Sequence, residues 1–372
     1  MNSFSIGAER ALINGELTSA SIEISHGIIT KVISAPSTLA GDILLKESDG
    51  VLSPGFIDLQ INGIADINFF DADKKELERA LVALAQSGVT ACTPSMISAP
   101  IGELVAAIET SDCGEVSPAG IARTRHLGYH IEGPFLADDF SRAHDARFFL
   151  DPIPQHLDPL LETGRVSIIT LAPERARALD AIAAMREAGV IASAGHSGAT
   201  FEQMVDAVAA GLSMITHLFN GMDKNKSEGI IRAASELREL TVGFIADGIH
   251  NQSEQIKWAF ETLGDRLALV TDALGPMLGD QPVERDAQGK GGAYRKDGTL
   301  AGSTFTLDKV IARAVELGAP LRQALLSATR TPARLLGRAD LGEIKVGALA
   351  DLTFFSNSGS IRTWIGGVEV AR

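Results

Sequence analysis

Residues 52–70 read LSPGFIDLQINGIADINFF. Gly55 to Leu59 make an apolar run of strand length, with Pro-Gly before it and a loop after it. Beyond Asp58 two polar residues alternate, Gln60 and Asn62. Side chains two apart on an extended strand share a face. A metal-binding strand would carry histidines at those two places, and here both are amides. Upstream the chain is β-rich: SIEISHGIITKVIS (21–34) alternates around His26-Gly27, and Asn14-Gly15 marks a second hairpin turn. Downstream, seven more apolar runs follow at intervals filled by helix-like sequence.

With GFIDL (55–59), these runs are VTACT (89–93), LGYHI (127–131), VSIITL (166–171), VIASA (190–194), SMITH (213–217), VGFIAD (242–247) and LALVTD (267–272). KKELERALVALAQSG and ERARALDAIAAMREAG are amphipathic and end in Gly just before the next run, a helix C-terminal signal. Eight strands alternating with helices predict a parallel (β/α)8, TIM-like barrel. An open doubly wound sheet has the same local pattern and is the alternative. No phosphate-binding loop or GxGxxG follows the first run, which counts against a nucleotide site. At the C-terminus, GEIKVGALADLTFFS and IRTWIGGVEV read as short strands joined by Gly-rich turns. Neither terminal piece holds a core of its own. Residues 1–51 and 337–372 are therefore expected to pair into one small β-sandwich domain, with the barrel spanning 52–336.

The 372 residues are 45% apolar and 22% charged, which fits a globular chain with a substantial core. Net charge is 33 minus 47, or −14, unfavourable for binding nucleic acid or an anionic membrane surface. Two cysteines, Cys92 and Cys113, are too few for a disulfide framework. The N-terminus lacks a signal-peptide pattern, and no run of 18 apolar residues occurs. The expected setting is the cytoplasm.

Catalytic side chains of a barrel gather at the C-terminal ends of its strands. Those ends offer Gln60 and Asn62, Glu132, His196, His217, Asp247 with His250, and Asp272. One Glu and two His at separate strand ends form a known open zinc set, leaving a position for water. Asp272 is then free to move a proton. Taken singly, each residue has a plainer role: a buried histidine satisfied by its neighbours, or a carboxylate capping a helix. Their joint placement at strand ends is what points to a site. His26, His126 and His156 lie away from strand ends and read as structural or surface residues.

At these residues the sequence resembles the N-acetylglucosamine-6-phosphate deacetylases of the amidohydrolase superfamily. The resemblance runs along essentially the whole chain, through PGFIDLQING, HIEGPFL, AGHSGAT, THLFNGM, ADGIH, LVTDALGP, LAGST and GEIKVGALADLTFF in that order. It implies one divalent metal per chain, held by Glu132, His196 and His217. Zn2+ is favoured, and Fe2+, Co2+ or Mn2+ also suit such donors. Gln60 and Asn62 would be vestiges of a second metal position. The resemblance further implies Asp272 as general base and then acid, with His144 polarising the acetamide carbonyl. Substrate contacts would come from Ala143, Asn220, Gly221, Asp247, His250, Leu300, Ala301 and Gly302.

Two departures bear on the phosphate. Arg142 stands where the family has a glycine in the loop before His144, and the MDKNKSEGIIRAAS region offers Lys226, with Arg232 further on. Arg142 and Lys226 are therefore the expected phosphate contacts, although lysine lacks the guanidinium fork. The same resemblance implies a homodimer. The alternatives are an N-acetylgalactosamine 6-phosphate or unphosphorylated N-acetylhexosamine deacetylase, or a sugar-phosphate-binding protein on the same scaffold. Cyclic amide hydrolysis, often binuclear, is disfavoured by the two amides.

Overall fold

The eight apolar runs become eight parallel strands, in sequence order around a barrel: β1 (Phe56–Ile61), β2 (Val89–Ile97), β3 (Tyr129–Glu132), β4 (Val166–Leu171), β5 (Ile191–Ala194), β6 (Met214–Ile215), β7 (Thr241–Phe244) and β8 (Leu267–Leu269). The structure is a computed structural model that describes residues 3–48, 50–117, 120–225, 228–279, 281–286, 289–356 and 361–371. Closure distinguishes the barrel from an open sheet. Past the end of β8, Asp272 N–H donates to the Gln60 carbonyl at 2.9 Å and Asn62 N–H to the Ala273 carbonyl at 2.8 Å. An isolated parallel bridge, Ile61 to Ala273, completes the ring.

Strands buried on both faces read as continuous apolar runs, and every residue of β1 and β2 is buried. Their alternation sorts two cores. Phe56, Leu267 and Leu269 pack under the helices, while Ile57, Leu59, Ala268 and Val270 join Ile168, Met214 and Ile245 in a second cluster inside the barrel. The ladder between β1 and β2 shifts register between Asp58 and Ile61; Gln60 lies within the shift and Asn62 just past it, and both amides reach Asp272. The SMITH run is shorter as a strand than expected. The chain leaves the ladder after Ile215 and turns at His217, whose φ is +27°.

The helices form where sequence signals placed them. Lys74–Ala85 starts with a reciprocal capping box between Asp73 and Glu76 and buries Leu77, Ala80, Leu81 and Leu84. Gly88, φ +88°, lets the chain reverse directly into β2. Both hairpin turns of the N-terminal part are left-handed at their tips: Asn14 and Gly15 at +51° and +79°, His26 and Gly27 at +51° and +79°.

The chain ends do pair. Strands Phe4–Ile13, Glu16–Ser25, Ile28–Ser34, Ile43–Leu45 and Gly50–Pro54 join Leu352–Ser356, Ile361–Ile365 and Val368–Glu369 in one hydrogen-bonded sheet. Gly50–Pro54 lies against Leu352–Ser356 and links the two ends. This sheet encloses its own core, including Ile6, Ile22, Ile24, Leu52, Phe354 and Trp364. A single sheet thus joins the two ends of the chain.

One feature the sequence patterns did not indicate is an antiparallel excursion after β8. Met277–Leu278 pairs with Gln281–Pro282, and Glu284–Arg285, Gly292–Tyr294 and Leu300–Ser303 form a second small sheet. The bridge from Ser303 to Ala273 docks that sheet on the barrel mouth.

Candidate active site

Glu132, the last residue of β3, receives both histidines. Its Oε1 lies 2.7 Å from His217 Nε2 and 3.2 Å from His196 Nε2. All three are buried, and one ligand atom from each falls within 4.8 Å of the others. His196 Nδ1 donates to the Phe140 carbonyl at 2.7 Å, which turns Nε2 inward as metal-binding imidazoles require. Glu174, beyond the end of β4, grips the loop after His196 by accepting from the Ser197 hydroxyl and the Gly198 N–H, both at 2.6 Å. Three of the key residues sit on left-handed backbone at strand ends: His196 at +47°, His217 at +27° and Asp272 at +48°. Non-glycine residues adopt that conformation only where surroundings impose it, as functional sites do. The donor set fits a divalent metal: one carboxylate and two imidazoles, sequestered from water, with an open side toward a cavity.

A polar layer supports these three residues from below. His130 Nδ1 meets the Leu59 carbonyl at 2.8 Å and Nε2 the Thr170 hydroxyl at 2.8 Å. Thr216 Oγ1 lies 2.7 Å from Thr170 Oγ1 and 2.6 Å from Ser193 Oγ. A carbonyl only accepts, so Nδ1 carries the proton. Burial holds His130 neutral, so Nε2 accepts. The chain then has one direction: Ser193 donates to Thr216, Thr216 to Thr170, and Thr170 to His130. Glu132 and His217 follow two and one residues after members of this chain, and His196 three after.

Gln60 and Asn62 converge on Asp272. The Asn62 amide donates to Oδ1 at 2.8 Å and the Gln60 amide at 3.4 Å. The amides expected at a vestigial metal position therefore have a present task, which is to hold the carboxylate. Burial, with the Glu132 charge nearby, pushes the Asp272 carboxyl up to about 6. Asp58, below it, accepts from the Thr271 hydroxyl at 2.6 Å, and burial pushes its carboxyl up to about 7.

The folded protein therefore retains a proton on Asp58 that the unfolded chain releases above its ordinary value of 3.8. Stability from this group falls as pH rises from about 4 to about 7 and is level above that. Asp58→Asn should remove that slope. Urea unfolding of parent and variant at pH 5 and pH 8 tests it: the parent should lose more stability than the variant over this interval. Equal losses would rule out a raised Asp58 carboxyl.

A cavity of about 380 Å³ opens over Glu132, His196 and His217. Asn62, Glu132, Arg142, Ala143, His144, His196, His217, Asn220, Gly221, His250, Asp272, Leu300 and Ala301 all line it, so most of the expected residues meet there. Asp247 lies behind the wall. Its Oδ2 holds His250 Nδ1 at 2.7 Å and its Oδ1 accepts from the Ile249 and His250 N–H groups, both at 2.8 Å. Gly302 packs against the end of β8, where a Cβ would come 2.6 Å from the Asp272 carbonyl oxygen. Lys226 falls outside the described residues. Arg232 pairs with Glu236 at 3.0 Å and stacks on Phe201, away from the cavity. The sequence patterns did not single out Lys224, Thr299, Ile97 and Leu278, which also line it. For Lys224 a signal existed, a second lysine beside Lys226 in a loop after β6.

Residues 51–370 match the model of the amidohydrolase family. An N-acetylglucosamine-6-phosphate deacetylase of Caenorhabditis elegans is 32% identical over 84% of this chain and 80% of its own. An N-acetylgalactosamine-6-phosphate deacetylase of Shewanella sp. (strain ANA-3) is 33% identical over 96% and 93%. The solved structure of a Mycobacterium smegmatis N-acetyl-D-glucosamine-6-phosphate deacetylase, an Asp-to-Ala mutant in complex with N-acetyl-D-glucosamine-6-phosphate, superposes with a TM-score of 0.91 at 30% identity, covering all of both chains. The chain belongs to the amidohydrolase family, among its N-acetylglucosamine-6-phosphate deacetylases.

Proposed function

We propose that the protein hydrolyses the acetamide of N-acetylglucosamine 6-phosphate, giving glucosamine 6-phosphate and acetate. The observation that carries this is Asp272, a buried carboxylate held by two amides beside the Glu132, His196 and His217 group and facing the same cavity. A divalent ion on that group, Zn2+ by donor type, would supply Lewis acidity toward the acyl oxygen and acidify a water. Asp272 takes a proton from the attacking water and returns it to the departing nitrogen. Burial keeps its affinity for the proton near the middle of the pH scale, so it can do both. His144, buried against His196 with ring centroids 4.4 Å apart, polarises the acyl oxygen. Asn220, Gly221, Ala143, Leu300 and Ala301 shape the sugar pocket, and His250, braced by Asp247, offers Nε2 to it. We place the enzyme in the cytoplasm, as a homodimer acting in amino-sugar breakdown. Among the described residues, no helix is long and apolar enough to cross a membrane.

The phosphate is assigned to cations on the cavity wall. Arg142 and Lys224 are exposed, line the cavity and have no carboxylate partner among the described residues. Acetate release from N-acetylglucosamine 6-phosphate, its galactosamine epimer and unphosphorylated N-acetylglucosamine tests the proposal, using protein assayed for metal. Fast release from the first is expected. No release from any, in metal-loaded protein, would overturn the assignment. Lys224→Ala and Arg142→Ala should each raise KM for the phosphorylated sugar about tenfold, or about 1.4 kcal/mol. Turnover number should change less than about twofold, because neither group acts on the amide. An unchanged KM in both variants would remove them from the phosphate site.

A further inference from the structure

His144 has two ring nitrogens, and its use depends on which one carries the proton. Ser98, one residue beyond β2, addresses Nδ1 twice. Its backbone N–H lies 3.3 Å from that atom and its hydroxyl oxygen 2.8 Å from it. A backbone N–H can only donate, so Nδ1 presents a lone pair. The hydroxyl has one proton and two acceptors in reach, Nδ1 at 2.8 Å and the Glu132 carbonyl at 3.3 Å. Nδ1 accepts and is nearer, so the hydroxyl donates there as well. With Nδ1 accepting, the ring is not the imidazolium, which would carry a proton on both nitrogens. Its single proton is therefore on Nε2. That nitrogen faces the ligand group, 3.9 Å from Glu132 Oε2.

We propose that Ser98 is a positioning residue that locks His144 in the Nε2–H tautomer. In that form the nitrogen on the active-site side has no lone pair. His144 can then be neither a fourth metal ligand nor a base, although it lies beside His196. It can only donate, which is what polarising an acyl oxygen requires. The division of labour follows: Asp272 moves the proton, and His144 holds the oxygen. Gly133 makes the arrangement possible. Its φ is +88°, and a Cβ there would lie 2.2 Å from the Ser98 hydroxyl oxygen. Identifying the acyl oxygen as the acceptor rests on the deacetylase reading, whereas the tautomer does not.

The test is long-range 1H–15N correlation on zinc-loaded protein labelled with 15N-histidine, with His144 assigned through His144→Gln. The expected pattern is a protonated Nε2 and a bare Nδ1. Ser98→Ala keeps only the longer backbone contact. It should mix the tautomers and lower kcat about 10- to 100-fold, with KM and metal content within about twofold. Ser98→Thr, which retains the hydroxyl, should restore both tautomer and kcat. A proton on Nδ1 in the parent protein would overturn the proposal even if no Ser98 variant folded. So would Ser98→Ala with unchanged tautomer and kcat. The tautomer is read without substrate, so its failure is distinct from a failure to release acetate.

Discussion

Asp272→Asn should lower kcat by about 10²- to 10⁴-fold, the usual contribution of a positioned acid–base group, with substrate affinity kept within a few-fold. The substitution is isosteric, and the new side chain can still accept at Oδ1 from the Asn62 and Gln60 amides, now 2.8 and 3.4 Å away. What disappears is the proton acceptor. The same change should leave the metal-free protein as stable as the parent at pH 8, or more so. The folded protein binds a proton at Asp272 up to about 6, whereas the ordinary carboxyl releases it near 3.8. Between those values the folded state holds the extra proton, so this group's contribution to stability falls as pH rises and stays low above about 6. A neutral amide has no ionised form to bury beside Glu132. Activity and stability are opposed at this position, as at many catalytic groups. Three measurements decide it: acetate release, calorimetric binding of N-acetylglucosamine 6-phosphate, and melting temperature with and without chelator. Turnover within tenfold of the parent would remove Asp272 from the proton-transfer role. It would also favour a proton path that the cavity does not display.

The barrel was legible because its strands are buried on both faces. Such strands need unbroken apolar runs, and eight of them stand out against the amphipathic segments between. The clustering of Glu132, His196 and His217 was legible for a related reason: each lies at or just past the end of such a run and is a group that is unfavourable to bury without a task. Residues whose role depends on contacts far apart in the chain were not legible. Ser98 lies 46 positions before His144, and its value comes from the direction of one backbone N–H. The excursion from Met277 to Ser303 is built of two- to four-residue strands with no strong apolar period, so its docking over the mouth left no signature. Gln60 and Asn62 were half legible. Their strand-end position was visible, but their hold on Asp272 comes from barrel closure and the register shift in β1.

Glu132→Gln should abolish metal retention along with activity, which separates it from Asp272→Asn. Burial alone would push the Glu132 carboxyl up, but the histidines around it, His196 and His217 foremost, outweigh it and hold the group well below the usual range. The anion is therefore present at every working pH, and it is the only negative ligand in the group. Glutamine preserves the shape and one acceptor oxygen, so the fold should persist. It removes the charge that a divalent ion needs, and neutral amides are poor ligands beside imidazole. In the parent, metal at 100 times its Kd stabilises by about 2.7 kcal/mol. Chelation should then lower the melting temperature by roughly 3–4 °C for a chain of this size. In the variant the chelator should have almost no effect, and purified protein should hold less than about a tenth of an equivalent of metal. A variant that keeps one metal per chain and still melts lower with chelator would show that the ion sits elsewhere. The deacetylase mechanism would then lose its centre, because Asp272 and His144 both face the space beside Glu132.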